Sequence, residues 1–359
     1  MDGTSCFVFY NYLLPKFLKQ TAKNRVLRSF PELDQNWEVK KVNKKALGII
    51  MSLTLALTLF GFSLIASVQG AVTVQEIRGK LGGADYLIRI PSNWNGRLVV
   101  YCRGYSHLLS GVDLVTPANA FNTFIQMGNA FAESSYGVGG FCIKEGIIRT
   151  HQLTEWMIDN YHVTGKVYLV GISMGGATDL MLGAKYPELY DGVLDIAGTT
   201  DAIARYNLHS YYANIADDTA LANAVLLNGG LVPPFPCPTI AAFREYCQLS
   251  VADTVAACGG TPEEKPQGYE RVSPLYSATD IGVPTMVVHG TKDGLIPYSH
   301  SVNYFNAVVA AGHGDLIRFY KVVGGEHANL PVIGQIPVRL AQLINWVENG
   351  VLPPASSTP

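Results

Sequence analysis

From residue 72 onward, apolar and polar positions alternate in a strand-then-helix rhythm. Val72 to Arg78 and Tyr86 to Ile90 largely alternate apolar and polar residues, which predicts antiparallel edge strands. Asn93-Trp94-Asn95-Gly96 is a turn signal before Arg97 to Cys102, a short apolar run that predicts a buried strand. Ala118 to Met127 is predicted as a helix and Asn129 to Ser134 as the next strand. Ile147, Leu153, Trp156, Met157 and Tyr161 then give an apolar face to a helix over Lys144 to Tyr161. Val167 to Ile172 is a second buried strand, followed by a helix that Pro187 stops near Lys185. Asp191 to Ala197, Pro284 to His289 and Asp315 to Val322 continue the strands. Tyr298 to Ala310 and Ile336 to Val347 supply the last helices.

Short apolar strands separated by helices predict an α/β fold, with a mostly parallel sheet flanked by helices. Residues 200–275 break the rhythm. They hold helical stretches, Pro233-Pro234-Phe235-Pro236 and a cysteine cluster without strand signals, and are predicted to be an inserted helical cap. The domain is placed at 71–352, with 353–359 as a flexible tail. No internal repeat is visible.

Ala46 to Val68 carries no charge and is long enough to cross a bilayer. Lys40, Lys41, Lys44 and Lys45 precede it, and Val68-Gln69-Gly70 offers small residues before Ala71. A basic start, an apolar centre and a small-residue exit read as a secretory signal. A start at Val39 would make 39–70 a compact signal peptide and leave 1–38 untranslated. Alternatively, residues 46–68 are an uncleaved anchor, with the nine Lys/Arg of residues 1–45 held in the cytoplasm. Either form exports the remainder.

Residues 71–359 carry 17 Lys/Arg against 24 Asp/Glu, a net charge of −7, and no basic patch that would bind nucleic acid. Five of the six cysteines (Cys102, Cys142, Cys237, Cys247, Cys258) lie in this part. In an oxidising compartment a disulfide within the 237–258 group is expected, with Cys102–Cys142 as a candidate second bridge. No cysteine spacing matches a zinc site.

The candidate chemistry sits at strand ends, where open α/β sheets place it. Gly171-Ile172-Ser173-Met174-Gly175-Gly176 joins a strand to a helix. Such a turn strains the backbone of Ser173, needs small neighbours, and leaves the Met174 N–H at a helix N-terminus facing a developing oxyanion. A serine needs an adjacent base. His327, in Gly324-Gly325-Glu326-His327 after the last strand, is the candidate. His289 reads as a packed core residue within a strand; His151, His162, His209, His300 and His313 read as surface. Asp293, in His289-Gly290-Thr291-Lys292-Asp293-Gly294, is the acid that would orient His327, with Asp195 as its rival. Arg103-Gly104-Tyr105 leaves the third strand where a second oxyanion donor belongs, and the Tyr105 N–H is assigned to it. Gly104, Tyr105 and His107 are candidate substrate contacts.

Ordered as Ser173, Asp293, His327, and joined by Leu98-Val99-Val100-Tyr101-Cys102-Arg103-Gly104-Tyr105, these pieces resemble the α/β-hydrolases. Within them, the chain is similar to the serine esterase, lipase and prolyl-oligopeptidase-like branch. The resemblance spans about Val72 to Val347. It implies an α/β-hydrolase fold and hydrolysis through an acyl-enzyme, without metal or organic cofactor. The expected function is a secreted serine hydrolase acting on a small-molecule or polymeric carboxylic ester, with membrane contact only through an uncleaved N-terminal segment. A prolyl-oligopeptidase-like peptidase and a non-catalytic binding module of the same fold are the alternatives. Tyr206, Tyr211, Tyr212, Leu226, Leu227 and Phe235 of the cap either receive an apolar group or pack the cap onto the sheet.

Overall fold

Eight strands form one sheet in the order β1-β2-β4-β3-β5-β6-β7-β8. They are β1 (Val74–Leu81), β2 (Ala84–Pro91), β3 (Leu98–Cys102), β4 (Ala130–Ser134), β5 (Val167–Ile172), β6 (Gly192–Ile196), β7 (Thr285–Gly290) and β8 (Ile317–Val322). The computed structural model describes residues 72–108, 118–232 and 236–357. The 46–68 run, both readings of it, and the 1–38 tail lie outside the described residues. Among the described residues, no helix is long and apolar enough to cross a membrane.

β1 pairs with β2, and β2 with β4, in antiparallel register; every pair from β4 through β3 to β8 is parallel. Parallel strands covered on both faces should be apolar at consecutive positions, and β5 is buried at all six. Val167 and Leu169 face one core layer, while Tyr168, Val170 and Ile172 face the other. Full burial of a residue such as Leu169 stabilises the fold by about 1.5–3 kcal/mol relative to exposure. Helices Ile143–Tyr161, Met174–Lys185 and Ser299–Ala310 cover the first layer; Ala118–Gln126 and Ile336–Asn349 cover the second. This mostly parallel, helix-flanked sheet is the α/β-hydrolase architecture.

Between β6 and β7 the chain makes helices Ala202–Asn214, Asp218–Leu227, Ile240–Cys258 and Pro266–Glu270, then a 3-10 stretch, Pro274–Asp280. Asp201, Asp217 and Thr239 cap the first three by accepting backbone N–H bonds. Tyr212, Leu221, Phe243 and Tyr246 from these helices are buried in the first core layer.

Three expectations need correction. Residues 353–357 are not frayed. Ser357 N–H donates to the Phe319 carbonyl at 2.7 Å, Phe319 N–H donates to Ser356 Oγ, and Tyr320 Oη donates to the Pro354 carbonyl. The segment thereby covers the open edge of β8, which would otherwise expose unpaired backbone groups. Cys102, Cys142, Cys247 and Cys258 are free and buried, so neither Cys102–Cys142 nor a bridge within the 237–258 group forms. All four lie in a packed interior, where Cys142 Sγ also accepts from the Arg103 guanidinium, and burial pushes all four thiols up. Finally, His209 and His300 are buried rather than on the surface. His209 bonds Ser250 Oγ and the Leu295 carbonyl. His300 sits at the start of its helix beside His289, and burial with that neighbour lowers it to about 3.

Candidate active site

Ser173 leaves β5 at φ 61° and ψ −120°, and Met174 begins the helix immediately after it. That backbone conformation is unfavourable for a residue with a Cβ and persists only where its surroundings hold it. The glycines at either side make it possible. A Cβ at Gly171 would lie 2.3 Å from the Gly175 carbonyl oxygen, and a Cβ at Gly175 would lie 2.0 Å from that of Cys102. As the first residue of the helix, Met174 has an N–H without an acceptor inside the helix.

His327 lies in the loop after β8, and Asp293 in the loop after β7. His327 Nε2 is 2.9 Å from Ser173 Oγ, and His327 Nδ1 is 2.7 Å from Asp293 Oδ2. The three residues, distant in sequence, thus share one continuous hydrogen-bonded chain, and all three are buried. Asp293 Oδ1 accepts the N–H groups of Leu295 and Ile296 at 2.9 and 2.8 Å. Burial would raise the Asp293 carboxyl. The charge of His327 and hydrogen bonds from His289 and His327 outweigh it and hold the group far below the usual carboxylate range.

The sequence pattern assigns His289 to the core, and it is fully buried. It is also part of this network. Its Nε2 lies 3.1 Å from Asp293 Oδ2 and 2.9 Å from the Ile296 carbonyl, and its Nδ1 lies 2.7 Å from Ser301 Oγ. The signal for this contact was the four-residue spacing from His289 to Asp293 across Gly290.

Asp195, the rival acid, is fully buried on β6 and does not bond His327. Strand pairing explains this: Asp195 lies opposite Val287, two residues below His289, so it stops short of the loop that carries Asp293. It faces Asp179 of the Ser173 helix. Burial raises both carboxyls, Asp195 to about 7, with His289 opposing the shift in Asp195.

Gly104 approaches Ser173 closely: a Cβ there would be 3.7 Å from Ser173 Cβ and 3.4 Å from the Ile172 carbonyl oxygen. The Arg103-Gly104-Tyr105 turn is therefore beside Ser173. The Tyr105 ring does not stand open on the rim. It is buried, edge-on to Tyr246, and its hydroxyl donates to Asp253 Oδ2 at 2.6 Å. His107 lies further out, with Nδ1 2.9 Å from the same carboxylate oxygen. Arg205 of the insertion was not singled out by the sequence. Its guanidinium is buried over the Phe141 and Tyr105 rings and donates to Ser250 and Thr254 Oγ. Among the described residues, no group of three His, Cys, Asp or Glu is placed to hold a metal ion.

Ser173 on a strand-to-helix turn is thus joined by Asp293 and His327 from the loops after β7 and β8. The chain has the α/β-hydrolase fold and is similar to serine hydrolases of that superfamily. Within that class, similarity divides between peptidases and esterases. The prolyl oligopeptidase family model matches residues 249–350 and an esterase family model matches 148–267. Acylaminoacyl peptidase from Pyrococcus horikoshii superimposes with a TM-score of 0.52 at 13% identity, covering 80% of this chain and 42% of that one. A puromycin hydrolase gives 0.53 at 15%, covering 80% and 42%. An esterase from Pyrococcus furiosus gives 0.50 at 11%, covering 77% and 93%. The chain thus spans less than half the length of the peptidases it resembles. No curated protein sequence matches it.

Proposed function

We propose that this protein hydrolyses carboxylic esters through an acyl-enzyme on Ser173. The observation that carries the reading is the hydrogen-bonded chain from Ser173 Oγ through His327 to Asp293. In this mechanism His327 Nε2 takes the Ser173 proton as Oγ bonds to the ester carbonyl carbon. The oxyanion formed is received by the N–H groups of Met174 and Tyr105, beside Gly104. His327 then gives its proton to the leaving alcohol as the C–O bond breaks. Water repeats the sequence: His327 takes its proton, the hydroxyl attacks the acyl carbon, and Ser173 Oγ leaves with the proton returned. Asp293 stays ionised throughout and stabilises the imidazolium.

A peptidase reading is favoured by one observation, the prolyl oligopeptidase match over the segment that carries Asp293 and His327. Against it, two carboxylates at the site are already engaged: Asp253 with Tyr105 and His107, and Asp293 with two imidazoles. Neither stands ready to hold a substrate amine. Export is proposed on the 39–70 sequence pattern, with the mature chain starting at Ala71.

The test is a ladder of p-nitrophenyl esters from acetate to palmitate with an amino-acyl p-nitroanilide alongside, on the wild type and Ser173→Ala. Ester turnover that disappears in a folded Ser173→Ala protein is expected. Cleavage of the anilide alone would establish the peptidase. Absence of turnover together with absence of fluorophosphonate labelling would establish a binding module.

A further inference from the structure

We infer that His289 is a positioning residue of the site, holding the same Asp293 oxygen that His327 bonds. The inference rests on the serine-hydrolase reading of Ser173, His327 and Asp293 and extends it by a fourth side chain.

The tautomer of His289 follows from its partners. The Ile296 carbonyl, 2.9 Å from Nε2, can only accept, so Nε2 carries the hydrogen. That hydrogen is shared with Asp293 Oδ2 at 3.1 Å. Nδ1 faces the Ser301 hydroxyl at 2.7 Å, which can donate to a neutral ring or accept from a protonated one. Asp293 Oδ2 therefore receives two imidazole N–H groups, and Oδ1 receives two backbone N–H groups. All four interactions come from protein, and the carboxylate is buried. It cannot turn away when His327 changes charge during turnover, because His289 holds the same oxygen on which His327 depends.

Several titratable groups surround His289. Asp293 bonds it and shares its carboxylate with His327, the charge of Asp195 on β6 acts on it with Asp179 next to Asp195, and Tyr298 and His300 lie at the start of helix Ser299–Ala310. Burial opposes charge on His289. Hydrogen bonding and the charge of Asp293, the Ile296 carbonyl and Asp195 together outweigh it and raise the group above an ordinary histidine. Two imidazoles thus compete for one carboxylate. A positive charge on His289 repels a second positive charge across the shared carboxylate.

Two variants separate this role from simple packing. Glutamine can still offer an N–H to Asp293 but takes no proton; leucine fills the space and offers nothing. His289→Leu should lose about tenfold to a hundredfold in kcat on p-nitrophenyl acetate with KM little changed. His289→Gln should recover much of kcat, while the acid limb of its kcat/KM profile moves up by roughly 0.5–1 pH unit. If His289→Leu does not fold, the profile of His289→Gln alone decides. Folded variants with wild-type kcat and a wild-type acid limb would overturn the inference. Fluorophosphonate labelling of the same samples distinguishes the two levels of failure. A wild-type protein that does not label at Ser173 overturns the serine-hydrolase reading and this inference with it. Variants that label at the wild-type rate, with the wild-type profile, overturn this inference alone.

Discussion

The hydroxyl of Tyr105 donates to Asp253 Oδ2 across 2.6 Å, joining the loop after β3 to helix Ile240–Cys258 of the insertion. The same carboxylate holds His107, and Arg205 lies over the Tyr105 ring. The proposed second oxyanion donor is thus anchored by the insertion rather than by the sheet. Tyr105→Phe deletes one hydrogen bond to a carboxylate and leaves the ring packing intact. It should cost about 1.5–3 kcal/mol of stability. Urea unfolding of the two proteins measures that, and kcat on p-nitrophenyl acetate should fall with it because the loop beside Ser173 loosens.

The helix after Ser173 places a second demand on the chain. At Gly175 the obstruction is a backbone carbonyl 2.0 Å from where a Cβ would sit, and a β3 backbone cannot swing aside as a side chain can. Gly175→Ala should therefore cost about 3 kcal/mol or more. Soluble yield and the urea midpoint report it. A variant of wild-type stability would mean that the turn has more room than these distances allow.

The sheet and the three-residue chain were legible because each candidate follows an apolar strand and is set off by glycine. Ser173 follows Val167 to Ile172 and precedes Gly175; Asp293 follows His289-Gly290; His327 follows Gly324-Gly325. What was illegible depends on burial from two sides. His209 and His300 carry polar groups at helical positions that alone suggest solvent, but the insertion and the sheet enclose them and supply their partners. Arg205 is hidden for the same reason: its stabilising hydroxyls, Ser250 and Thr254, lie more than forty residues away. The 353–357 segment has the Pro/Ser composition of a loose end, yet its serines pair with the backbone of β8.

Two groups of carboxyls give stability opposite dependences on pH. Burial raises Asp195 to about 7 in the folded protein, above its unfolded value of about 4. Its contribution is present below the unfolded value and is lost as pH rises toward 7. Asp293 is lowered, so its contribution is present above about pH 4 and lost as pH falls further. Asp195→Asn should flatten the first loss and raise Tm relative to the wild type at pH 8, with a smaller difference at pH 5. Thermal melts from pH 4 to 9 test it. A wild-type Tm that does not fall between pH 5 and 8 would contradict the assignment.

Removal of residues 353–359 should expose the outer edge of β8. It would delete the Ser357 N–H bond to Phe319, the Ser356 and Ser357 side-chain bonds to Phe319 and Lys321, and the Tyr320 bond to Pro354. These are partly solvated bonds, so a total of about 1–3 kcal/mol is expected rather than the full sum of isolated hydrogen bonds. The site itself lies at the carboxyl-terminal ends of β5 and β7 and in the loop after β8, and none of these bonds involves Ser173, Asp293 or His327, so kcat per folded molecule should hold. The second consequence is kinetic: an unpaired edge strand recruits other chains. Light scattering on heating should therefore begin at a lower temperature in the truncated protein by more than its change in Tm accounts for. Equal scattering onset relative to Tm would show that the tail stabilises β8 without guarding it.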